Sequence, residues 1–323
     1  MTFALSAFAS LLVALWAFTA FQSGRIERRY PAVGEKVDVG GRAVHVVERA
    51  ASGEERGAAL LIHGASGNFA DMSVALAEQL SAKGFRVLSV DRPGHGWSER
   101  IVGRDAASPA RQAEMLRRAA EQLGVREATV VVHSVAGLTG LAMALDAPRF
   151  VRALVLIAPV SHPWPGGVAW YYTLGAHPLL GAPFRRLLTL PLGLARMRAG
   201  VAGVFAPNPA PPEFVETTRV PLVLRPLQFR ANCEDVVNAE ASVAALSPRY
   251  GAIRAPTEIV AGDSDGVVST RIHASGCARD IPNARLTLLN GVGHSPHHTV
   301  PDRVVEIILE AERRASARAP EAA

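Results

Sequence analysis

Cysteine is scarce: a chain of 323 residues carries only Cys233 and Cys277. Two cysteines cannot form the disulfide framework of a small secreted domain or a cysteine-rich zinc site, so we expect two buried thiols. Low-complexity tracts and internal repeats are also absent from the sequence. The composition, 49% hydrophobic and 20% charged, is that of a globular protein with room for one large α/β domain with an insertion, or for two small domains.

Clustered positive charge of the kind that binds nucleic acid is absent as well. The net charge is +5, but the basic residues are scattered or lie near the two ends of the chain. A nucleic-acid surface is therefore not predicted. The positive charge is better explained by attraction to anionic lipid. The basic residues near the ends are Arg25, Arg28, Arg29, Arg313, Arg314 and Arg318.

Charged side chains are missing from Thr2 to Gly24, where alanine, leucine, phenylalanine, valine and tryptophan predominate. The length of this stretch is close to the ~20 residues that a helix needs to cross the bilayer core. It lacks the basic start and the small-residue cleavage site of an export signal, which favours a single membrane anchor. The arginine cluster directly after it predicts that the following domain stays in the cytoplasm. An exported, periplasmic protein with an atypical signal is the alternative.

Two familiar motif classes are also missing. The glycines from Gly64 to Gly67 are not followed by Gly-Lys-Ser/Thr, so they do not form a phosphate loop. His294, His297 and His298 have no carboxylate at a matching spacing, and Pro296 interrupts a helical face. We therefore predict neither a bound metal nor a cofactor.

A buried strand followed by a sharp turn at a serine is predicted at residues 130–137. Three valines at 130–132 lead into His133-Ser134, and a helical pattern of small and apolar residues begins at Val135. Runs of β-branched residues favour buried strands. A serine at a strand-to-helix turn is the setting of a nucleophile elbow, in which the backbone holds the hydroxyl clear of the sheet.

Strands and helices alternate along most of the chain, which predicts a doubly wound, mostly parallel sheet. The alternation stops after Ser161, where a segment rich in proline, leucine, tryptophan and tyrosine lacks strand periodicity and predicts a helical insertion. The predicted organisation is a membrane anchor at 1–24, a linker at 25–35, an α/β core at 36–160 and 248–315, a helical cap at 161–247 and a frayed tail at 316–323.

Four motifs, in order and spacing, resemble those of the α/β-hydrolase superfamily over roughly residues 37–310. The acid and the histidine follow the serine in the order that these hydrolases use. The resemblance implies an α/β-hydrolase sheet with a cap and the activity of a serine esterase or lipase on a small-molecule ester. The motifs are His63-Gly64, Asp91-Arg92-Pro93-Gly94-His95-Gly96-Trp97-Ser98, the serine turn, and the loops Gly262-Asp263-Ser264-Asp265 and Gly291-Val292-Gly293-His294.

The resemblance also implies a role for each site residue. Ser134 would be the nucleophile, His294 the base that takes its proton, and Asp265 the acid that orients the imidazole. Asp263 is a rival for the acid, but the family pattern Gly-x-x-Asp falls on Gly262 and Asp265. The oxyanion hole would come from the backbone N–H groups of Ala65 and Val135. Candidates to line the substrate pocket are His63, Ser66, His133, Trp164 and His297.

The serine turn departs from the usual Gly-x-Ser-x-Gly, because Val132 and Ala136 stand where the glycines are expected. Valine is the bulkier change, and a small neighbour must accommodate it. A membrane-bound binding module that has lost catalysis is therefore one alternative. Two others use the same triad: a C–C bond hydrolase, and a cofactor-free haloperoxidase or perhydrolase. Relatives with aspartate in place of Ser134, such as epoxide hydrolases and dehalogenases, are disfavoured.

Overall fold

A single eight-stranded sheet forms the centre of the molecule in a computed structural model that describes residues 2–103 and 105–317. The strands are β1 (Glu35–Asp38), β2 (Ala43–Arg49), β3 (Gly57–Ile62), β4 (Phe85–Val90), β5 (Ala128–His133), β6 (Val151–Ile157), β7 (Thr257–Gly262) and β8 (Ala284–Leu289). Their order is β1-β2-β4-β3-β5-β6-β7-β8. Pairing is parallel from β4 to β8, and β1 and β2 add antiparallel pairs at one edge. The mostly parallel sheet is confirmed.

Helices cover both faces of the sheet and form the segment between β6 and β7. A π-helical turn, Ser73–Ala77, joins α2 to α3. The helices are α1 (Thr2–Arg29), α2 (Phe69–Met72), α3 (Glu78–Ala82), α4 (Pro109–Gln122), α5 (Gly137–Asp146), α6 (Trp170–Ala176), α7 (Gly181–Leu187), α8 (Thr189–Phe205), α9 (Phe214–Thr217), α10 (Pro226–Leu246), α11 (His273–Asp280), α12 (Pro296–Thr299) and α13 (Pro301–Ser316).

The apolar core lies in two layers because side chains alternate across each strand. In β5, Val130 and Val132 pack into the layer that contains Leu141 of α5, whereas Val131 packs into the opposite layer with Ile308 of α13. Every residue of β5 is buried. A strand covered on both faces needs a continuously apolar sequence, which explains why the run of valines predicted β5 correctly.

The N-terminal helix is longer than its apolar stretch. It continues past Gly24 to Arg29, so the five residues 25–29 of the expected linker are helical. The reason is tertiary: Ile26 and Tyr30 are buried against Leu190 and Leu222 of the cap. At the other end of the chain, α13 runs to Ser316, and residues 318–323 of the expected tail lie outside the described residues.

Both cysteines are free and buried, as the sequence predicts. Burial raises the pKa of the Cys233 and Cys277 thiols to about 12. Both thiols are therefore protonated at neutral pH, and neither is an activated nucleophile.

Candidate active site

Ser134 stands at the sharp turn between β5 and α5. Its φ is +55°, in the left-handed region that residues with a Cβ rarely adopt. A short 3₁₀ turn, Ser134–Ala136, leads directly into the helix, and the Val160 N–H donates to the Ser134 carbonyl at 2.9 Å. Strain of this kind persists only where the surrounding structure enforces it, and it is common at active sites. The strand, turn and helix of a nucleophile elbow are therefore present.

The valine at the position of the first motif glycine is accommodated by a glycine on the neighbouring helix. A Cβ at Gly140 would lie 2.9 Å from Val132 Cγ1 and 3.2 Å from Leu154 Cδ1. Separations this short are closer than packed carbon atoms tolerate. In the usual motif, a glycine at position 132 leaves room for the helix that follows the serine. Here Gly140 of that helix leaves room for the Val132 side chain, so Val132 does not close the elbow.

Ser134, His294 and Asp265 form one hydrogen-bonded chain. The Ser134 Oγ lies 2.9 Å from His294 Nε2, and His294 Nδ1 lies 2.7 Å from Asp265 Oδ2. The Asp265 side chain is fully buried, and its Oδ1 accepts the N–H groups of Val267 at 2.8 Å and Val268 at 2.9 Å. Those two bonds stabilise the carboxylate and fix its orientation toward the imidazole.

Asp263, the rival acid, points elsewhere. Its Oδ1 accepts the Ser264 hydroxyl at 2.9 Å and the Gly291 N–H at 2.8 Å, and it is exposed. These bonds join the acid loop to the histidine loop. Gly262 allows the two loops to approach, since a Cβ there would lie 1.8 Å from the Val292 carbonyl oxygen. Asp263 thus has the contacts of a turn-forming residue.

The backbone N–H groups of Ala65 and Val135 lie beside the serine. Within the described ranges, neither donates to another protein group, and both residues line the same cavity as Ser134. The loop of Ala65 lies against the elbow because its neighbour is Gly64, where a Cβ would be 3.0 Å from Ser134 Cβ. Free N–H groups at the start of a helix and in an adjacent loop are the donors that an oxyanion needs.

Comparison with known proteins supports the fold. A family model described as alpha/beta hydrolase fold matches residues 59–198. The chain has the α/β-hydrolase fold. It is 29% identical over 262 residues to the magnesium-chelatase 30 kDa subunit of Rhodobacter capsulatus, covering 78% of this chain and 85% of that protein. It is 28% identical over 250 residues to the 2-hydroxymuconate semialdehyde hydrolase of Pseudomonas putida, covering 73% and 80%. A thermophilic esterase from Thermogutta terrifontis has the same fold, with a TM-score of 0.69, 21% identity and coverage of 87% and 98%.

Behind Ser134 and His294, the chain carries a buried cluster that the sequence did not indicate. Asp71 Oδ1 lies 2.9 Å from His298 Nε2 and 3.5 Å from His297 Nε2, and its Oδ2 lies 3.8 Å from His133 Nδ1. His133 Nε2 donates to the His294 carbonyl at 3.0 Å. Burial lowers the pKa of the His133 imidazole well below its usual range, so the ring is neutral and supports the backbone of His294 as a plain hydrogen-bond donor.

The cluster contains a carboxylate, Asp71, close to His297 and His298, although none lies near these histidines in the sequence. Burial disfavours the charge of Asp71, but the imidazoles of His297 and His298 outweigh this effect and hold the pKa of the carboxyl well below its usual range. Ligand atoms of Asp71, His133 and His297 all lie within 4.8 Å of one another. Nitrogen and carboxylate ligands are a donor set that zinc accepts.

A second buried network ties the hydrolase core to the cap. Arg92 is almost fully buried, and its Nη1 donates to Asp235 Oδ2 of α10 at 2.7 Å and to Gln112 Oε1 at 3.2 Å. His63 accepts the Arg92 N–H at 3.0 Å and donates to the Gly64 carbonyl at 2.8 Å. Burial lowers the pKa of the His63 imidazole to about 4.

Two cavities meet at the loop of Ala65. The larger, about 830 Å³, contains Ser134. The smaller, about 270 Å³, is mainly apolar and extends beneath α8, where Met197 and Val201 line it. Ala65, Tyr171 and Tyr172 line both. A substrate at Ser134 therefore has room on two sides.

The five pocket candidates from the sequence divide into two groups. Trp164 lines the larger cavity, and Ser66 and His133 line the smaller one. His63 and His297 are fully buried and lie outside the lining of both cavities. The reason is that their rings belong to the two buried networks.

Proposed function

We propose that this chain is a serine hydrolase that cleaves a carboxylic ester through an acyl-enzyme. The observation that carries the proposal is the hydrogen-bonded chain from Ser134 through His294 to Asp265. Ser134 attacks the ester carbonyl while His294 Nε2 takes its proton, and the N–H groups of Ala65 and Val135 stabilise the oxyanion. His294 then protonates the leaving alcohol.

The second half of the reaction uses the same groups. A water molecule gives a proton to His294 and attacks the acyl carbonyl, and Ser134 leaves with the proton returned by the imidazole. Asp265 accepts a hydrogen bond from the His294 Nδ1–H throughout and stabilises the imidazolium in both halves. No cofactor is required by these steps.

We propose that the ester is lipophilic. The smaller cavity is lined chiefly by apolar cap residues, including Met197, Val201, Val204 and Leu224. An apolar cavity that opens beside the oxyanion donors favours a hydrocarbon chain, because burial of each CH₂ contributes roughly 0.8 kcal/mol.

A fluorophosphonate probe tests the nucleophile directly. The full-length protein in detergent is labelled and digested, and the modified residue is identified by mass spectrometry. Label on Ser134 of the wild type, lost in Ser134→Ala and His294→Ala, supports the proposal. Ser264→Ala is the matched control, because this exposed serine lies on the acid loop without contacting the base. A folded wild type that does not label Ser134 refutes the proposal and favours the binding module.

A C–C bond hydrolase is the second candidate, favoured by the similarity to the Pseudomonas putida semialdehyde hydrolase. The two reactions differ in the leaving group, which is an alcohol for an ester and a carbanion equivalent for a C–C bond. A nitrophenyl ester series and a vinylogous diketone, assayed with the same preparation, separate them by kcat/KM. A peroxide-dependent acid oxidation assay covers the perhydrolase alternative.

We further propose that α1 anchors the enzyme in a membrane with its catalytic domain in the cytoplasm. One helix in the described part of the chain, Thr2–Arg29, is long and apolar enough to span a bilayer. A signal sequence would have the same composition, so the alternative is an exported protein. The intact mass of the mature protein distinguishes them, because cleavage would remove the helix. Protease accessibility in spheroplasts then reports the side of the membrane.

A further inference from the structure

The cap has an exposed apolar face. Half of the large hydrophobic side chains that are exposed outside α1, in the part of the chain that the structure describes, lie between Trp170 and Leu194. Trp170 is 69% exposed and Leu179 is 79% exposed. Large exposed apolar patches mark contact surfaces rather than ordinary surface. We call this set the cap apolar face: Trp170, Tyr171, Leu179, Leu180, Leu188, Leu192 and Leu194.

The cap apolar face is continuous with the apolar N-terminal helix. The last turns of α1 are held on the cap, because Ile26 and Tyr30 are buried against Leu190 and Glu27 pairs with Arg225 at 3.1 Å. The remainder of α1, with mean hydropathy 2.0, is almost entirely exposed. Phe21 of α1 and Leu194 of the face line one cleft. The orientation of the face is therefore fixed relative to the anchor.

The charges around this face suit anionic lipid headgroups. From Trp170 to Phe205 the chain contains four arginines and no aspartate or glutamate. Arg186, Arg196 and Arg198 are exposed. Arg25 and Arg28 lie in the cleft shared with Leu194, where the apolar part of α1 ends. Arginines at the boundary of an apolar surface are the pattern of a protein that rests at the lipid headgroups.

Helix α8 has an apolar surface on two sides. Met197 and Val201 line the smaller cavity, whereas Leu188 (preceding the helix) and Leu192 are exposed on the opposite side. Together α7 and α8, which are bent by 66° at their junction, have the hydropathy of a membrane segment. A helix with apolar side chains on two opposite sides can contact the cavity on one side and a second apolar phase on the other.

We propose that the cap apolar face lies in the headgroup and upper acyl region of a bilayer with anionic lipid, and that ester substrate enters the smaller cavity from the lipid. Helix α8 then separates the bilayer from the cavity. The route of entry rests on the proposed function and on α1 as an anchor. The docking itself does not require catalysis, so the two can be tested separately.

Docking is tested on the full-length protein in nanodiscs of phosphatidylcholine and phosphatidylglycerol. Leu179→Cys and Leu192→Cys carry a fluorophore, and quenching by lipids with a nitroxide on the acyl chain is compared with quenching by aqueous iodide. Val74→Cys and Leu288→Cys are matched controls, because both residues are 54% exposed and lie in the α/β core. The native cysteines are buried.

Stronger lipid quenching at positions 179 and 192 than at the two controls supports docking. Equal quenching at all four positions, or preferential quenching by iodide on the face, overturns it. Protection of the face from both quenchers also overturns it, because a second copy of the chain would then cover the surface.

Entry from the lipid is tested by Leu179→Glu and Leu192→Glu, with Leu288→Glu as the control. For a long-chain ester dissolved in the nanodisc, kcat/KM should fall about tenfold, the loss expected when one leucine no longer contacts an apolar phase. For a water-soluble acetate ester, kcat/KM should stay within about twofold of the wild-type value. Equal losses on both esters overturn the entry route. If the wild type cleaves neither ester, the proposed function fails while the quenching result still decides docking.

Discussion

The pairing of Val132 with Gly140 makes a prediction that tests how this elbow is built. Gly140→Ala adds a Cβ that would lie 2.9 Å and 3.0 Å from the two Cγ atoms of Val132 and 3.2 Å from Leu154 Cδ1. The wild-type valine has no room to retreat, because it is fully buried in the middle of the sheet. Either the helix or β5 must shift, and Ser134 lies two residues beyond Val132.

Two opposing effects set the magnitude. Overpacking of a buried site by one carbon costs about 1–3 kcal/mol. Alanine in place of glycine inside a helix stabilises by about 1 kcal/mol. Gly203→Ala in α8 isolates the second effect, because a Cβ there has no neighbour within 4 Å. Gly140→Ala should therefore lower the free energy of unfolding relative to Gly203→Ala by about 1–3 kcal/mol.

The assay is a double-mutant cycle with Val132→Ala, measured by thermal unfolding in detergent and by the rate of fluorophosphonate labelling. With alanine at 132 the clash is relieved, so Gly140→Ala should become neutral or stabilising, with a coupling energy of about 1–3 kcal/mol. The labelling rate should fall in Gly140→Ala and recover in the double variant. An equal effect of Gly140→Ala in both backgrounds would refute the reasoning that Gly140 accommodates the valine.

Three further outcomes are expected. Asp265→Asn should lower kcat by about 10⁴-fold, since the amide favours the wrong imidazole tautomer, while Asp263→Asn stays within about tenfold; equal losses would show that the acid is misassigned. Burial holds the pKa of His63 at about 4. The unfolded chain therefore binds a proton between pH 6.5 and 4 that the native chain does not. The free energy of unfolding should decrease by about 3 kcal/mol from this group as pH falls through that window, and a Tm that is constant from pH 7 to 4 would contradict it. Asp235→Ala leaves a buried guanidinium without its partner and should cost about 3–5 kcal/mol, whereas its neighbour Glu234→Ala, at a partly exposed ion pair, should cost under about 1 kcal/mol in the same melts.

The elements that the sequence predicted are those whose signal is local. The valine run at 130–132 marks β5 because a strand buried on both faces must be apolar throughout. The order of Ser134, Asp265 and His294 came from the resemblance, because the serine lies more than a hundred positions before the other two residues and no local pattern joins them.

The features that the sequence missed all depend on contacts between distant segments. Asp71, His133 and His297 come from α2, the end of β5 and α12, so no spacing rule could unite them. The compensation of Val132 by Gly140 depends on how α5 crosses β5. The helical continuation of α1 to Arg29 was missed for the same reason: composition marks the end of the apolar stretch at Gly24, and only burial of Ile26 and Tyr30 against the cap extends the helix.

One cap helix joins the loops of the candidate site to the N-terminal helix. In α10, Asn232 Oδ1 accepts the N–H of Ser66, in the loop that contains Ala65, at 2.7 Å, and Asp235 pairs with the buried Arg92. Arg225, directly before α10, pairs with Glu27 of α1 and donates to the Gly96 carbonyl. Buried charge pairs are expensive to separate once formed, so these contacts oppose opening of the cap as a free lid. The position of the loop that contains Ala65 relative to α1 is then fixed by the fold. Substrate selection should respond to changes in the cavity wall of α8 more than to changes in any hinge.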